Sequence, residues 1–408
     1  MKRESRSIME RIAAANVLRQ ERPKRRMIVG TLLALCIVGA SATALWVHTH
    51  TTDSNAPSSR VTPPVAYTGH RSDEVPLSTS RSLAMVEAHA PTTINPWGVA
   101  LDSVHGYVWV AEPGCEPLPA CATAIPGTIG QYAFSDGSFT QDFTEPQGYT
   151  SPLFIVVDAA GRLWFTQPTS DAIGVFDPVN GVWNQWSVKK NAQPYDLTID
   201  ARGNLWFTEF GGNRIGFFNT KTHTLVETPL PTAHSDPYGI TIDSKGTAWF
   251  SENGIAANQI GSFITTSDGK IKIVEYAAIA LRPHLITTDK AGNIWFSEGF
   301  SGTISEYNPT TGASQRFRAY LGACLNPSAC TGTHISGIRV DDKGNVWFTD
   351  SLSQRVGYLV PATGQVVERV VPANAHPHDG LILDKNGRIW FTEQYARSLN
   401  VWPMSNVK

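Results

Sequence analysis

The five residues Leu-Trp-Phe-Thr-Glu at positions 205–209 are one of seven near-copies, centred on Trp109, Trp164, Trp206, Trp249, Trp295, Trp347 and Trp390. Successive tryptophans lie 55, 42, 43, 46, 52 and 43 residues apart. A unit of this size cannot bury its apolar side chains alone, so it has to stack on its neighbours. Every copy has the same internal order. An apolar segment such as Pro237–Asp243 ends in Asp, and a turn containing Gly follows. Next come the Trp–Phe segment, a polar loop, a third segment such as Asn213–Thr220, and a fourth such as Thr224–Pro231. Asp bonds its own turn backbone and Gly tolerates positive φ, so Asp-x-x-Gly reads as a tight hairpin.

Four short β-segments repeated seven times predict an all-β fold, a seven-bladed β-propeller of four-stranded blades spanning residues 83–408. The last unit lacks a fourth segment, while a spare one, Leu83–Pro91, precedes the first. Pairing the two would close the ring and cover two sheet edges, so blade 7 is expected to be shared between the termini.

The N-terminal region differs in kind. Residues 1–26 form a basic, cytoplasmic segment, and Lys24, Arg25 and Arg26 precede an uncharged apolar run, residues 27–47, long enough to span a bilayer. "SATA" ending at Ala44 also offers a signal-peptidase-like site, so this is a transmembrane anchor or a signal helix. Either places the propeller outside the cytoplasm, membrane-tethered or secreted. Residues 48–82, rich in Ser, Thr and Pro, read as a flexible linker. Two cysteine pairs with equal gaps, Cys115 with Cys121 and Cys324 with Cys330, predict two local disulfides, with metal binding as the rival. With 33 basic against 35 acidic residues, no field for nucleic acid is present. The expected partners are the membrane, through the N-terminal helix, and a small-molecule or peptide ligand at the mouth of a monomeric propeller.

In a blade, the start of the first strand and the end of the second lie at the same mouth. The second strands end in Glu112, Gln167, Glu209, Glu252, Glu298, Asp350 and Glu393. Such a ring can be structural, each carboxylate bonding the backbone of the next loop, or functional. Five histidines, His234, His284, His334, His376 and His378, fall in the loops leading into first strands, and four of them belong to blades 5 to 7. That clustering predicts a polar pocket in one sector.

With "PYGITID", "LWFTE", "NRIG" and "LRPHLITTD", the chain resembles the virginiamycin B lyase (streptogramin lyase) family over residues 83–404. The resemblance implies a magnesium-dependent β-elimination that opens the ester of a cyclic depsipeptide. The family pattern has Arg-Pro-His-x-Ile, then Glu-Pro-His leading into the next blade, then a Glu after that blade's Trp–Phe. Arg282, Pro283 and His284 match the first element; the second reads His334-Ile335-Ser336 here, and the strand-end acid is Asp350. Blade 7 offers His376-Pro377-His378 with Glu393, and an extra residue before Gly380. The candidate catalytic residues are therefore His284, His334 and His378. Asp350, Glu393 and Glu298 are the candidate magnesium ligands, and Ser336, His376 and Tyr238 the candidate substrate contacts. Two other functions fit a propeller: a non-catalytic tethered binding module, and a lactonase-type hydrolase needing several carboxylates on one axial ion.

Overall fold

The computed structural model describes residues 86–89, 95–114, 126–265, 271–276, 281–320, 322, 332–372 and 375–402. The apolar run 27–47, the linker and all four paired cysteines lie outside the described residues. Among the described residues no helix is long and apolar enough to cross a membrane.

The described strands form seven sheets of four antiparallel strands, six of them hydrogen-bonded in sequence order. Blade 4, for example, is built from Pro237–Ile242, Ala248–Glu252, Gln259–Thr265 and Ile271–Tyr276. First strands of successive blades contact one another, and blade 1 contacts blade 7, which closes the ring around an axis. The terminal exchange occurs as the sequence predicts. Val86–His89 pairs antiparallel with Ser398–Trp402 and completes the sheet that also holds Pro377–Leu383 and Ile389–Glu393.

The repeated residues divide the labour within each blade. Asp243 accepts hydrogen bonds from Lys245 N and Thr247 N through Oδ1, and from the Trp249 indole N–H through Oδ2 at 3.0 Å. One carboxylate thus fixes both the turn and the tryptophan six residues later. The same Asp–Trp bond recurs at Trp164, Trp206, Trp295, Trp347 and Trp390. Blade 1 departs from it, because an extra residue in its turn brings His105 to Asp102 instead. Tryptophans pack between blades: Trp347 of blade 6 lies against Leu381, Ile389 and Phe391 of blade 7. In blades 2, 3, 4 and 6 the phenylalanine after the tryptophan lies opposite a glycine, and Phe207 needs Gly216 there, since a Cβ would overlap its ring. Fourth strands are the exposed rim, as the alternating pattern of Thr224–Pro229 shows.

Candidate functional site on the propeller axis

The threonine or serine of each Trp–Phe–Thr segment determines where the axial side chains sit. In blades 3 to 6 the first strand carries a one-residue bulge opposite this hydroxyl; Tyr238 and Gly239 together face Ser251, between the pairs Pro237–Glu252 and Ile240–Phe250. The hydroxyl accepts from the bulge N–H of its own blade and donates to a carbonyl of the next. Thus Gly239 N–H bonds Ser251 Oγ, which bonds the His284 carbonyl. Thr166, Thr208, Ser297, Thr349 and Thr392 hold the carbonyls of Tyr195, Tyr238, Ser336, His378 and Trp97 in the same way. A bulge re-aims side chains, and here the staple turns one residue per blade toward the axis.

Blade 7 has a larger bulge. Pro377 pairs with Glu393 and Leu381 with Phe391, so three residues, His378, Asp379 and Gly380, face Thr392 alone. The additional residue is Asp379, and its carboxylate is the hub of the axis. Ser336 Oγ donates to Oδ1, and the hydroxyls of Tyr195 and Tyr238 donate to Oδ2 at 3.2 and 3.0 Å. His378 Nδ1 and His284 Nε2 lie 3.2 and 3.4 Å from Oδ1. The two tyrosine hydroxyls are themselves 2.5 Å apart. Gly380 has to be glycine here, because a Cβ would overlap the Thr392 hydroxyl and the Trp97 carbonyl.

The three histidines predicted to converge do so. Ring centroids are 4.7 Å apart for His284–His334, 5.1 Å for His334–His378 and 6.0 Å for His284–His378. Tyr238 stacks on His284 at 3.8 Å and Trp97 packs on His378 at 5.0 Å. His376 stacks on His378 and on the half-exposed Tyr395, continuing the aromatic column outward. His334 Nδ1 lies 3.1 Å from Ser351 Oγ, and Phe300 covers its ring at 4.6 Å.

Burial sets the electrostatics. It would push the Asp379 carboxyl up, but His378 and His284 beside it hold it well below the usual carboxylate range. Burial pushes His284 down against the opposing pull of Asp379. His334 is pushed down further, by burial and by its two histidine neighbours, and His376 falls to about 3. Burial and then the Asp379 charge raise both Tyr195 and Tyr238 well above the ordinary phenol range, so their protons stay on. The resting site pairs an anion with protonated phenols and with two imidazoles, His284 and His334, held toward the neutral form.

The candidate magnesium ligands are used differently. Glu298 accepts from Leu281 N–H, Ser305 and Arg316 on one oxygen and from Ser301 and Thr303 on the other, which is also ion-paired with Arg316. Asp350 accepts from Thr333, the His334 backbone N–H and Ser353 N–H, and Ser398 donates to Glu393. These carboxylates bond the loops that enter and leave their own blade at this mouth. Among the described residues, the one group of three or more potential ligand side chains within 4.8 Å is His284, His334 and His378. Magnesium selects oxygen donors in near-octahedral geometry, whereas this set is all imidazole nitrogen, so the residues present do not fit that ion.

Of the substrate candidates, Ser336 and Tyr238 bond Asp379, and His376 stands at the outer edge of the cluster. His234 is exposed and stays outside it. Tyr195, Trp97 and Asp379 were not singled out from the sequence. Tyr195 occupies the column of Tyr238, in "QPYDL" beside "DPYGI", and Trp97 the same column in "NPWGV". Asp379 is the extra residue before Gly380.

Fold and site together define a seven-bladed propeller with a His–Asp–Tyr centre on its axis. Residues 122–319 match the model of the virginiamycin B lyase family, to which the propeller is similar. No curated protein matches the chain. Among solved structures, virginiamycin B lyase from Staphylococcus aureus is similar at 24% identity and a TM-score of 0.64, over 78% of this chain and 98% of that one. Its catalytically inactive His-to-Ala variant with quinupristin is equally similar. Kuenenia stuttgartiensis hydrazine synthase follows at 14% identity and a TM-score of 0.59, over 78% and 98%. His284 lies within the matched segment; His334, His378 and Asp379 lie beyond it.

Proposed function

We propose that this protein is an extracytoplasmic lyase-type enzyme that opens an ester, in a cyclic depsipeptide or a related compound, by β-elimination at the axial cluster. The observation that carries the reading is the Asp379 hub: one buried carboxylate joined to two imidazoles, two phenols and a serine. In the proposed step His284 is the base. With its Nε2–H toward Asp379, the other nitrogen, Nδ1, has no hydrogen-bond partner and is available for a proton. It removes the proton α to the ester-bearing carbon's neighbouring carbonyl; the Cβ–O bond breaks, a carbon–carbon double bond forms, and the carboxylate leaves. Asp379 stabilises the imidazolium as it forms. Tyr195 and Tyr238, kept protonated, donate to Asp379 Oδ2 and hold the carboxylate in place beside His284. A single His-to-Ala change inactivates the S. aureus relative, which supports assigning the chemistry to a histidine.

The full burial of His284 and His334 favours a second reading, a non-catalytic ligand-binding propeller with a rigid polar core. The lactonase reading needed converging carboxylates, and the described residues hold no such group. The test is turnover of a panel of cyclic depsipeptides, linear esters and lactones by the purified protein, alongside folded His284→Ala and Asp379→Asn variants. Loss of ester opening in both variants supports the elimination. A His284→Ala protein as fast as wild type overturns it, and binding without turnover supports the second reading.

A further inference from the structure

Three buried imidazoles leave ring nitrogen unpaired. His284 Nδ1 and His334 Nε2 are buried without a hydrogen-bond partner, while His284 Nε2 and His378 Nδ1 face Asp379 Oδ1 at 3.4 and 3.2 Å. Nearly all buried polar atoms in folded proteins are satisfied, and each exception calls for an explanation. The rings come from three consecutive blades, and one nitrogen of each lies within 4.8 Å of the others. Three imidazoles are a donor set of zinc and its neighbours in the first transition row. The surroundings have the matching outer pattern. Metal-bound imidazoles are commonly oriented through their second nitrogen by a carboxylate or another polar group. Here Asp379 lies beside His284 and His378, and Ser351 beside His334.

We propose that His284, His334 and His378 form a binding site for one borderline divalent transition-metal ion, with Asp379 and Ser351 orienting the rings. The site discriminates against magnesium because its three ligand atoms are imidazole nitrogens. The inference shares its residues with the proposed lyase centre but does not depend on the reaction. A neutral imidazole has one lone pair, so an ion held by His284 removes the base, and metal and catalysis oppose each other there.

The test uses the full-length protein, stripped with chelator and titrated separately with Zn2+, Co2+ and Mg2+ without substrate. One Zn2+ or Co2+ per chain is expected, with Co2+ giving the intense visible bands of a low-coordinate nitrogen site. His334→Ala, shown folded by circular dichroism, should weaken that binding at least a hundredfold. X-ray absorption on the zinc-loaded wild type should show three imidazole ligands, and this measurement stands even if the variant does not fold. Wild-type Zn2+ affinity equal to that of folded His334→Ala overturns the site, as does an absorption spectrum without imidazole scattering. Mg2+ binding that competes with Zn2+ overturns the selectivity. Failure of metal binding leaves the ester-opening assay to be decided separately, since that assay contains no added zinc.

Discussion

Asp379 concentrates the polar contacts of the axis in one side chain, and its replacement is the most informative single change. Asparagine keeps the shape but removes the charge that supports a protonated His284. We expect Asp379→Asn to lower kcat on any ester substrate by at least about a hundredfold with an unchanged circular dichroism spectrum; a loss under threefold would remove Asp379 from the mechanism. Burial holds His284 below its ordinary value of 6.5, so the free base persists as pH falls through that value. The acid limb of kcat/KM should therefore lie below pH 6.5, and a limb at or above it contradicts the assignment. A different residue reports on stability. Burial raises Glu252 from 4.5 to about 7, so the folded state holds its proton more tightly than the unfolded chain does. The resulting stabilisation is complete below pH 4.5 and lost as pH rises through about 7. Glu252→Gln escapes that loss, and its melting temperature should gain on wild type by a few degrees between about pH 5 and about pH 8.

At the scale of the element, the hydroxyl staple explains why Trp–Phe–Thr recurs with Thr or Ser in six of the seven copies. Thr349 accepts from Gly337 N–H and donates to the His378 carbonyl, so it joins the bulges of blades 6 and 7. Thr349→Val keeps the volume and orphans both buried partners. A loss of about 1–3 kcal/mol is expected in urea denaturation, and a loss too small to measure would show that the staple does not hold the bulge. The strand-end acids belong to this scale as well. They were legible as a ring, and their repetition already favoured a structural role, but the partners that saturate Glu298 and Asp350 come from loops on both sides of them and from third and fourth strands. No spacing in the sequence reveals that a carboxylate has no oxygen left for an ion.

For the whole molecule, closure is the property to test. Removing the residues before Asn95 deletes the strand Val86–His89 and exposes the edge of Ser398–Trp402. The truncated protein should melt at lower temperature and associate in a concentration-dependent way, read by scanning fluorimetry and light scattering; an unchanged monomer with wild-type melting would show that the edge needs no cover. The number of blades, their order and this exchange could all be read from the chain, because each repeat carries its own turn, core and interface residues. The convergence of His284, His334 and His378 was legible too, since like positions in a ring point to one axis.

The sequence by itself determined the sevenfold ring, its closure and the sector where the polar residues gather, because these follow from periodicity and local turn chemistry. Tertiary structure alone decided that Asp379 joins the axis, that two tyrosines from blades 3 and 4 reach it, and that the strand-end acids are spent on their own loops. The physical reason is that an added residue in a bulge changes where a side chain points. Its partners then lie across the ring, up to 184 residues away in sequence, where no local pattern can register them.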